Sequence, residues 1–325
     1  MYGGGPSVIH SLAGALRKLG VEIVLHDYWK HDPKQFDLIH YFSCQDSFNW
    51  KHQHADDPPL VVTPISWLEF SAARRLKESS LYAIRALLHR TSDRRALGYP
   101  FSFPAHFFPN SQGEADCLSS AYGVPREKMT IVPHGVSQAF CEGDATLFER
   151  EHGLSDFVLC VGRFEYPRKN QLALVQAMKD AKMPLVFIGG AEPGSQWYYD
   201  QCRREAGATT TFLPACGRED PMLISAYHAC KVLAMPALLE SPGLTGLEAA
   251  LAGANLAVTK NGSTREYFGD HAQYFDPTDT AQMRASVLAA FESPRSAALK
   301  QRVLDQFTWP RIAAMQLRAY EKILI

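Results

Sequence analysis

No stretch of the 325-residue chain reaches the roughly 18 consecutive apolar positions that a membrane-spanning helix needs. The first 20 residues lack a signal-peptide layout, because Arg17 and Lys18 interrupt the apolar stretch and no small-residue cleavage site follows. There is no Cys-x-x-Cys. The seven cysteines (Cys44, Cys117, Cys141, Cys160, Cys202, Cys216, Cys230) are odd in number and widely spaced, which argues against a disulfide framework and fits reduced thiols in a cytoplasm. A charge surplus is missing too: 33 Lys+Arg against 34 Asp+Glu leaves −1, so the chain as a whole is no basic coat and no nucleic acid is expected as partner. G-x-G-x-x-G is absent and no acidic residue follows a second strand at the right distance, so Gly3–Gly5 is not read as an NAD site. "HQHADD" (52–57) has metal-ligand residue types but no second cluster at ligand spacing; it reads as a loop, and no metal is expected. Internal repeats and low-complexity tracts are likewise absent.

What is present is an alternation. The chain is 46% hydrophobic and 21% charged, a folded profile, and long enough for two domains. Val21–Leu25, Asp37–Phe42, Leu60–Thr63, His106–Pro109 and Met129–Val132 read as strands in the first half. Phe157–Val161, Leu185–Ile188, Thr210–Leu213, Val232–Met235, Leu256–Thr259 and Gln273–Phe275 read as strands in the second. Helical patterns fill the gaps, as in Gln171–Ala181, Pro221–Ala229 and Gly246–Ala252. The strands are continuous apolar runs, as in parallel sheets covered on both faces. The turn-rich segment Pro133–Asp144 divides the chain into domains 1–136 and 137–308, each a doubly wound α/β unit whose ligands belong beyond the carboxyl ends of the strands. At the start, "YGGGPSV" opens a helix lined by Val8, Ile9, Leu12, Leu16 and Leu19 and capped by Gly20, with no strand before it; either the first strand of this domain is missing from the chain or the fold does without it.

Two segments carry chemistry. In "LLESPGLTGLEAALAG", Glu240 and Glu248 flank a turn (Ser241, Pro242, Gly243) that leads into a helix through Leu244 and Thr245. A helix N-terminus after such a turn offers free N–H groups and a dipole to an anion. The two carboxylates can bracket a ligand, one at a sugar ring and one at ribose hydroxyls. In "VLCVGRFEYPRKNQLAL" a strand ends, Gly162 turns the chain, and Arg163, Arg168 and Lys169 precede a helix, where cations are placed to hold a diphosphate. Gly189 and Gly190 follow the next strand and allow close approach to a nucleotide.

Together these residues resemble the family 4 retaining glycosyltransferases of GT-B fold, in which two Rossmann-like domains face each other across a cleft. The match runs nearly end to end. It comprises Gly3–Gly5 before a helix, "NSQGEADCLSSAYGVPREKMTIVPHGVSQAF" (110–140), Gly162 and Arg163 with Lys169 and Asn170, Glu240 with Glu248, the turn Asn261–Glu266, and the closing "FTWPRIAAMQLRAYEKIL". The resemblance implies sugar transfer from a nucleotide-diphosphate sugar to a glycan, lipid-linked or small-molecule acceptor, in surface polysaccharide or glycoconjugate synthesis. It implies Arg163, Lys169 and Glu240 as the catalytic set. Donor contacts fall to Gly4, Gly5, Gly162, Arg168, Gly189, Gly190, Pro242, Gly243, Leu244, Thr245 and Glu248. Neither metal nor cofactor is implied, the nucleotide sugar being a substrate, and the closing helix, 309–325, is expected to return to the first domain. A non-catalytic GT-B subunit and a nucleotide-sugar epimerase are the rival readings.

Three places depart from the family pattern. Arg163 and Lys169 stand six positions apart instead of the usual five, so either the loop holds an insertion or Arg168 takes the cation's place. After Leu60–Thr63 the family's His is absent, and Ser66 or Trp67 stands there. His134 replaces the Asn of the "NGV" turn and reads as a turn substitution, since both residues tolerate unusual backbone angles. Two further features lie outside the motifs. Arg74–Arg95 is locally basic with interleaved leucines, which fits either a solvated helix face or peripheral contact with an anionic membrane at its inner surface. Trp197, Tyr198 and Tyr199 read as the start of a packed helix.

Overall fold

The apolar runs assemble into two parallel sheets. In the computed structural model, which describes residues 4–27, 29–42, 57–65 and 104–325, the strands are β1 (Ile39–Phe42), β2 (Leu60–Thr63), β3 (His106–Phe107), β4 (Val158–Val161), β5 (Leu185–Ile188), β6 (Thr210–Leu213), β7 (Val232–Met235), β8 (Asn255–Thr259) and β9 (Gln273–Phe275). β1, β2 and β3 lie in that order, with Ile39 opposite Leu60 and Val62 opposite Phe107. The other six form one sheet in the order β6-β5-β4-β7-β8-β9. Val158 stands opposite Leu185 on one side and Val232 on the other. The chain divides into two compact units, one comprising Gly135–Trp309 and the other Gly4–His134 with Pro310–Ile325.

Alternation of side chains sorts the core of the larger unit. Leu159, Val186, Ile188, Leu233, Met235, Leu256 and Val258 point to one face and pack with Leu223, Tyr227, Leu247, Leu251, Leu299 and Val303 from helices 221–229, 244–251 and 297–306. Val158, Cys160, Leu185, Phe187, Val232, Ala234 and Ala257 point to the other and meet Leu174, Val175, Met178, Tyr198, Met283 and Val287 from helices 171–178, 196–205 and 280–292. Burying each Val, Leu, Ile, Phe or Met side chain among these contributes about 1.5–3 kcal/mol, which favours apolar runs in the strands. Helix starts are set locally: Asp220 accepts from Met222 N at 2.8 Å with Pro221 in the first turn, and Asp279 accepts from Gln282 N at 2.9 Å.

In the smaller unit, Val8, Leu12 and Leu16 of helix Gly4–Arg17 are buried, and Gly20 ends the segment at φ +86° while Val21 N bonds back to Leu16 O at 3.2 Å. Val62, Phe107, Leu118 and Val124 form a small core. His40 ties three elements: its Nδ1 lies 2.5 Å from the Tyr320 hydroxyl of helix Trp309–Leu324, and its Nε2 lies 2.8 Å from Thr63 Oγ1. Phe42, Phe108 and Tyr320 surround the ring, and burial lowers its pKa to about 3.

Several expectations are corrected here. Val21–Leu25 is not a strand; no ladder partner pairs with it among the described residues, and Val24 and Leu25 are exposed. Met129–Val132 is extended but makes only one bridge, to Phe107, with Thr130 N and Val132 N bonding to the carbonyls of Phe107 and Pro109. Leu19 lies past the last helical turn and is exposed. His134 does not occupy positive φ, which among the described non-glycine residues falls to Ile65, Asp156 and Asn170, so the turn argument does not explain it. Of the aromatic triplet, Tyr198 is buried in helix Gln196–Glu205 while Trp197 is exposed. Gly3, Ser66, Trp67, the basic stretch Arg74–Arg95 and most of "HQHADD" lie outside the described residues.

Candidate functional site

The larger sheet reverses its order between β4 and β7. Numbered from β4, the strands run 3-2-1-4-5-6, so connections leave these two neighbours toward opposite edges and open a crevice at their carboxyl ends. Arg163, Arg168 and Lys169 leave β4, and Glu240 leaves β7. At that crevice Lys169 Nζ donates to Glu240 Oε2 at 3.0 Å, with both side chains largely enclosed. Two residues 71 positions apart are thus brought together by the topology.

Each backbone that holds the site touches another. Gly162 sits at φ +143°, and a Cβ on Gly189 would stand 1.9 Å from the Gly162 carbonyl oxygen. Gly189 is therefore required by a backbone seam, while a Cβ on Gly190 would meet only Ala215 at an ordinary 3.9 Å. The seam continues as Phe164 N donates to Gly190 O at 2.8 Å and Glu192 N to Phe164 O at 3.0 Å. On the β7 side, Ser263 N donates to Glu240 O at 3.1 Å, and Gly262, at φ +96°, would place a Cβ 2.1 Å from that same oxygen. The turn after β8 is thus the clamp that fixes Glu240. Asn170, in the left-handed region at φ +52°, sends its Nδ2 to the carbonyls of Pro236 and Pro277 at 3.1 and 2.8 Å and ties the cation loop to two others.

Behind the turn Ser241–Gly243, helix Leu244–Leu251 begins with Gly243 at φ +80°. Gly246 N already donates to Gly243 O at 2.9 Å, so the amides before it are the ones a helix start offers to an anion. Thr245 donates its hydroxyl to Met235 Sδ at 3.3 Å. Glu248, one turn in, is 2% exposed. Its Oε1 accepts from Arg218 Nε and its Oε2 from the Tyr227 hydroxyl at 2.7 Å. Burial raises the Glu248 pKa, opposed by the Arg218 charge and the two hydrogen bonds, and it raises Tyr227 well above its usual value.

The other cations are paired too. Arg168 makes two bonds to Glu165, Nε to Oε1 at 2.6 Å and Nη2 to Oε2 at 2.5 Å; this pairing raises Arg168 and lowers Glu165. Arg163 Nη1 stands 2.5 Å from Glu192 Oε2. Of the two candidates for the second cation, then, Lys169 meets Glu240 and Arg168 turns to its own loop. Gly4 and Gly5 lie in the first turn of the smaller unit's opening helix. Glu165, Glu192, Arg218 and Tyr227 were not singled out from sequence; their partners are 3, 29, 30 and 21 positions away, and only the 165–168 spacing is a local signal. Cys160, Cys202 and Cys230 are buried, with thiol pKa values pushed up to about 12, so none is a nucleophile at neutral pH. Among the described residues no group of three or more His, Cys, Asp or Glu is placed to hold a metal.

Residues 148–303, which carry this whole constellation, match the family described as glycosyl transferases group 1. That matching segment is just under half of the chain, and it is similar to the group 1 glycosyl transferases over those residues. The chain is similar to the D-inositol 3-phosphate glycosyltransferase of Stackebrandtia nassauensis, 29% identical over 212 residues, covering 58% of this chain and 46% of the relative. The enzyme of the same name from Mycolicibacterium vanbaalenii is 27% identical over 295 residues, covering 82% of this chain and 63% of the relative. The chain therefore spans less than two thirds of either relative's length. Among solved structures, sucrose-phosphate synthase from Thermosynechococcus elongatus superposes with a TM-score of 0.74 at 17% identity, covering 99% of this chain and 94% of that one. HepE of Anabaena in complex with UDP-glucose superposes with a TM-score of 0.65 at 16% identity, covering 82% and 72%. The fold is that of the GT-B glycosyltransferase structures, parallel α/β in both units. Among the described residues no helix is long and apolar enough to cross a membrane.

Proposed function

We propose that the chain is a retaining glycosyltransferase that moves a sugar from a nucleotide-diphosphate donor to a glycan, lipid-linked or small-molecule acceptor, in polysaccharide or glycoconjugate synthesis. The observation that carries the reading is the Lys169–Glu240 pair at the point where the strand order reverses, beside the N-terminus of helix Leu244–Leu251. Lys169 and Arg163 take the diphosphate, where negative charge builds as the anomeric carbon–oxygen bond breaks; fixed cations at that position stabilise the transition state. The amides of Gly243–Thr245 add a helix-terminal anion site. Glu240 orients the donor sugar through its hydroxyls, and Glu248 keeps Arg218 and Tyr227 in place while its remaining lone pairs serve a ribose hydroxyl. The acceptor hydroxyl bonds to the anomeric carbon on the face the phosphate leaves, and its proton passes to that phosphate. Charge is met throughout by side chains and the helix dipole, so the reaction is proposed to need no metal.

Relatives called D-inositol 3-phosphate glycosyltransferase and a fold neighbour holding UDP-glucose support this donor class. The test is release of nucleoside diphosphate from UDP-, GDP-, ADP- and dTDP-sugars with candidate acceptors. Lys169→Ala and Glu240→Ala are each expected to lower turnover about a hundredfold or more, the scale of one electrostatic contact to a transition state. Near-wild-type turnover in either overturns its role. Donor conversion without acceptor identifies an epimerase, and donor binding without any turnover a non-catalytic subunit. Contact with an anionic membrane through Arg74–Arg95 is a further proposal, overturned by equal flotation with neutral and acidic liposomes.

A further inference from the structure

The three cations of the β4 loop are not held alike. Arg168 spends two well-aligned bonds on Glu165, and Lys169 donates one to Glu240. Arg163 has its Nη1 2.5 Å from Glu192 Oε2, yet its side chain donates no aligned hydrogen bond among the described residues, and that Glu192 oxygen is buried with no hydrogen-bond partner. The pair is a coulombic contact without the fork geometry that locks an arginine. Both side chains are about one-third exposed, at 35% and 28%.

Their backbones, by contrast, are fixed independently of the side chains. Phe164 bridges Ala191 in parallel, Glu192 N bonds to Phe164 O, Ser195 N bonds to Glu192 O at 2.8 Å, and Gln171 Nε2 donates to Arg163 O at 2.8 Å. The carboxylate is thus aimed at Arg163 by the fold and does not support the fold in return.

We propose that Glu192 tunes affinity at the donor site: an internal carboxylate that holds Arg163 until the diphosphate of the donor displaces it. This rests on the donor reading above. Arg163 has five N–H donors and shares its charge with one carboxylate, so a ligand with more negative charge and several acceptor oxygens wins the guanidinium. An uncharged ligand leaves the pair intact. The exchange leaves Glu192 beside a second anion, and that repulsion lowers the affinity for every diphosphate.

Glu192→Gln keeps the shape and removes the charge. Titration calorimetry of the full chain with UDP, GDP, ADP and dTDP, and with the matching uncharged nucleosides, reads the effect. The variant is expected to bind the preferred diphosphate about tenfold more tightly than wild type, a difference of about 1.4 kcal/mol. Nucleoside affinity is expected to be unchanged, and Glu192→Asp, which restores the charge, to return diphosphate affinity to near wild type. Equal or weaker diphosphate binding by Glu192→Gln, or an equal gain for the nucleoside, overturns the proposal and leaves the donor reading standing. If no diphosphate binds to wild type or to Glu192→Gln, the donor reading itself fails, and this inference with it.

Discussion

At the residue scale the Arg218–Glu248 pair is unevenly buried. The Glu248 side chain is 3% exposed and that of Arg218 25%, so losing one partner costs more than losing the other. Arg218→Met leaves a buried carboxylate with the Tyr227 hydroxyl alone, and uncompensated buried charges cost about 3–5 kcal/mol. Glu248→Gln leaves a guanidinium that reaches water and keeps an acceptor for Tyr227, a loss of about 1 kcal/mol. In urea unfolding at neutral pH, Arg218→Met is expected to be the less stable variant by about 2 kcal/mol; the reverse order would show Glu248 to be solvated in solution. Proton binding acts in the same sense. The folded-state pKa of Glu248 is raised, so its favourable contribution is present below about 4.5, the ordinary value, and is lost as pH rises through the raised one. Motif spacing pointed to Glu248 itself, but its two partners come from the loop after β6 and from helix Pro221–Ala229, and no local pattern announces them.

At the element scale, glycines mark where loops must touch. Gly189 and Gly190 are adjacent and look alike in sequence, where both suggest a ligand. The fold separates them: a Cβ on the first collides with the Gly162 carbonyl, and a Cβ on the second makes an ordinary contact. Gly189→Ala is expected to destabilise the larger unit by about 3 kcal/mol or more, because backbone cannot repack around the added carbon. Gly190→Ala is expected to stay within about 0.5 kcal/mol of wild type. Equal unfolding midpoints for the two in guanidinium would show that the seam between the β4 and β5 loops opens freely. Strands were the most legible elements. β2, β5 and β7, buried at every position, fall on the runs read from sequence, and the partly buried edge strands β6 and β9 fall on theirs as well. Val21–Leu25 has the same composition and no ladder partner among the described residues, so propensity alone does not make a strand there.

At the scale of the whole molecule, two units with separate cores answer to different perturbations. Calorimetry is expected to resolve two transitions, as for chains that are not two-state. A bound nucleoside diphosphate should raise the transition of the Gly135–Trp309 unit, by about 2.7 kcal/mol of stability at a hundred times its dissociation constant. Acid should lower the other. His40 has a pKa lowered from 6.5 to about 3, so the folded state binds fewer protons than the unfolded one between those values. Its stabilisation is present above 6.5 and is lost as pH falls toward 3. His40→Asn should flatten that dependence without moving the diphosphate-sensitive transition. One transition that moves with both perturbations would show the units to be coupled.

The sequence by itself determined the fold class, the parallel strands of the larger unit, and the residue types at the crevice, because burial on both sheet faces, glycine at close backbone approaches and cations after a strand all leave local marks. Tertiary structure alone decided which charge meets which. Lys169 and Glu240, Arg163 and Glu192, and Arg218 and Glu248 are joined by loops leaving four different strands, and their pairing follows from the order β6-β5-β4-β7 in which those strands lie. That order is set by how helices cover the two faces of the sheet, a property of the packed whole that no window along the chain contains.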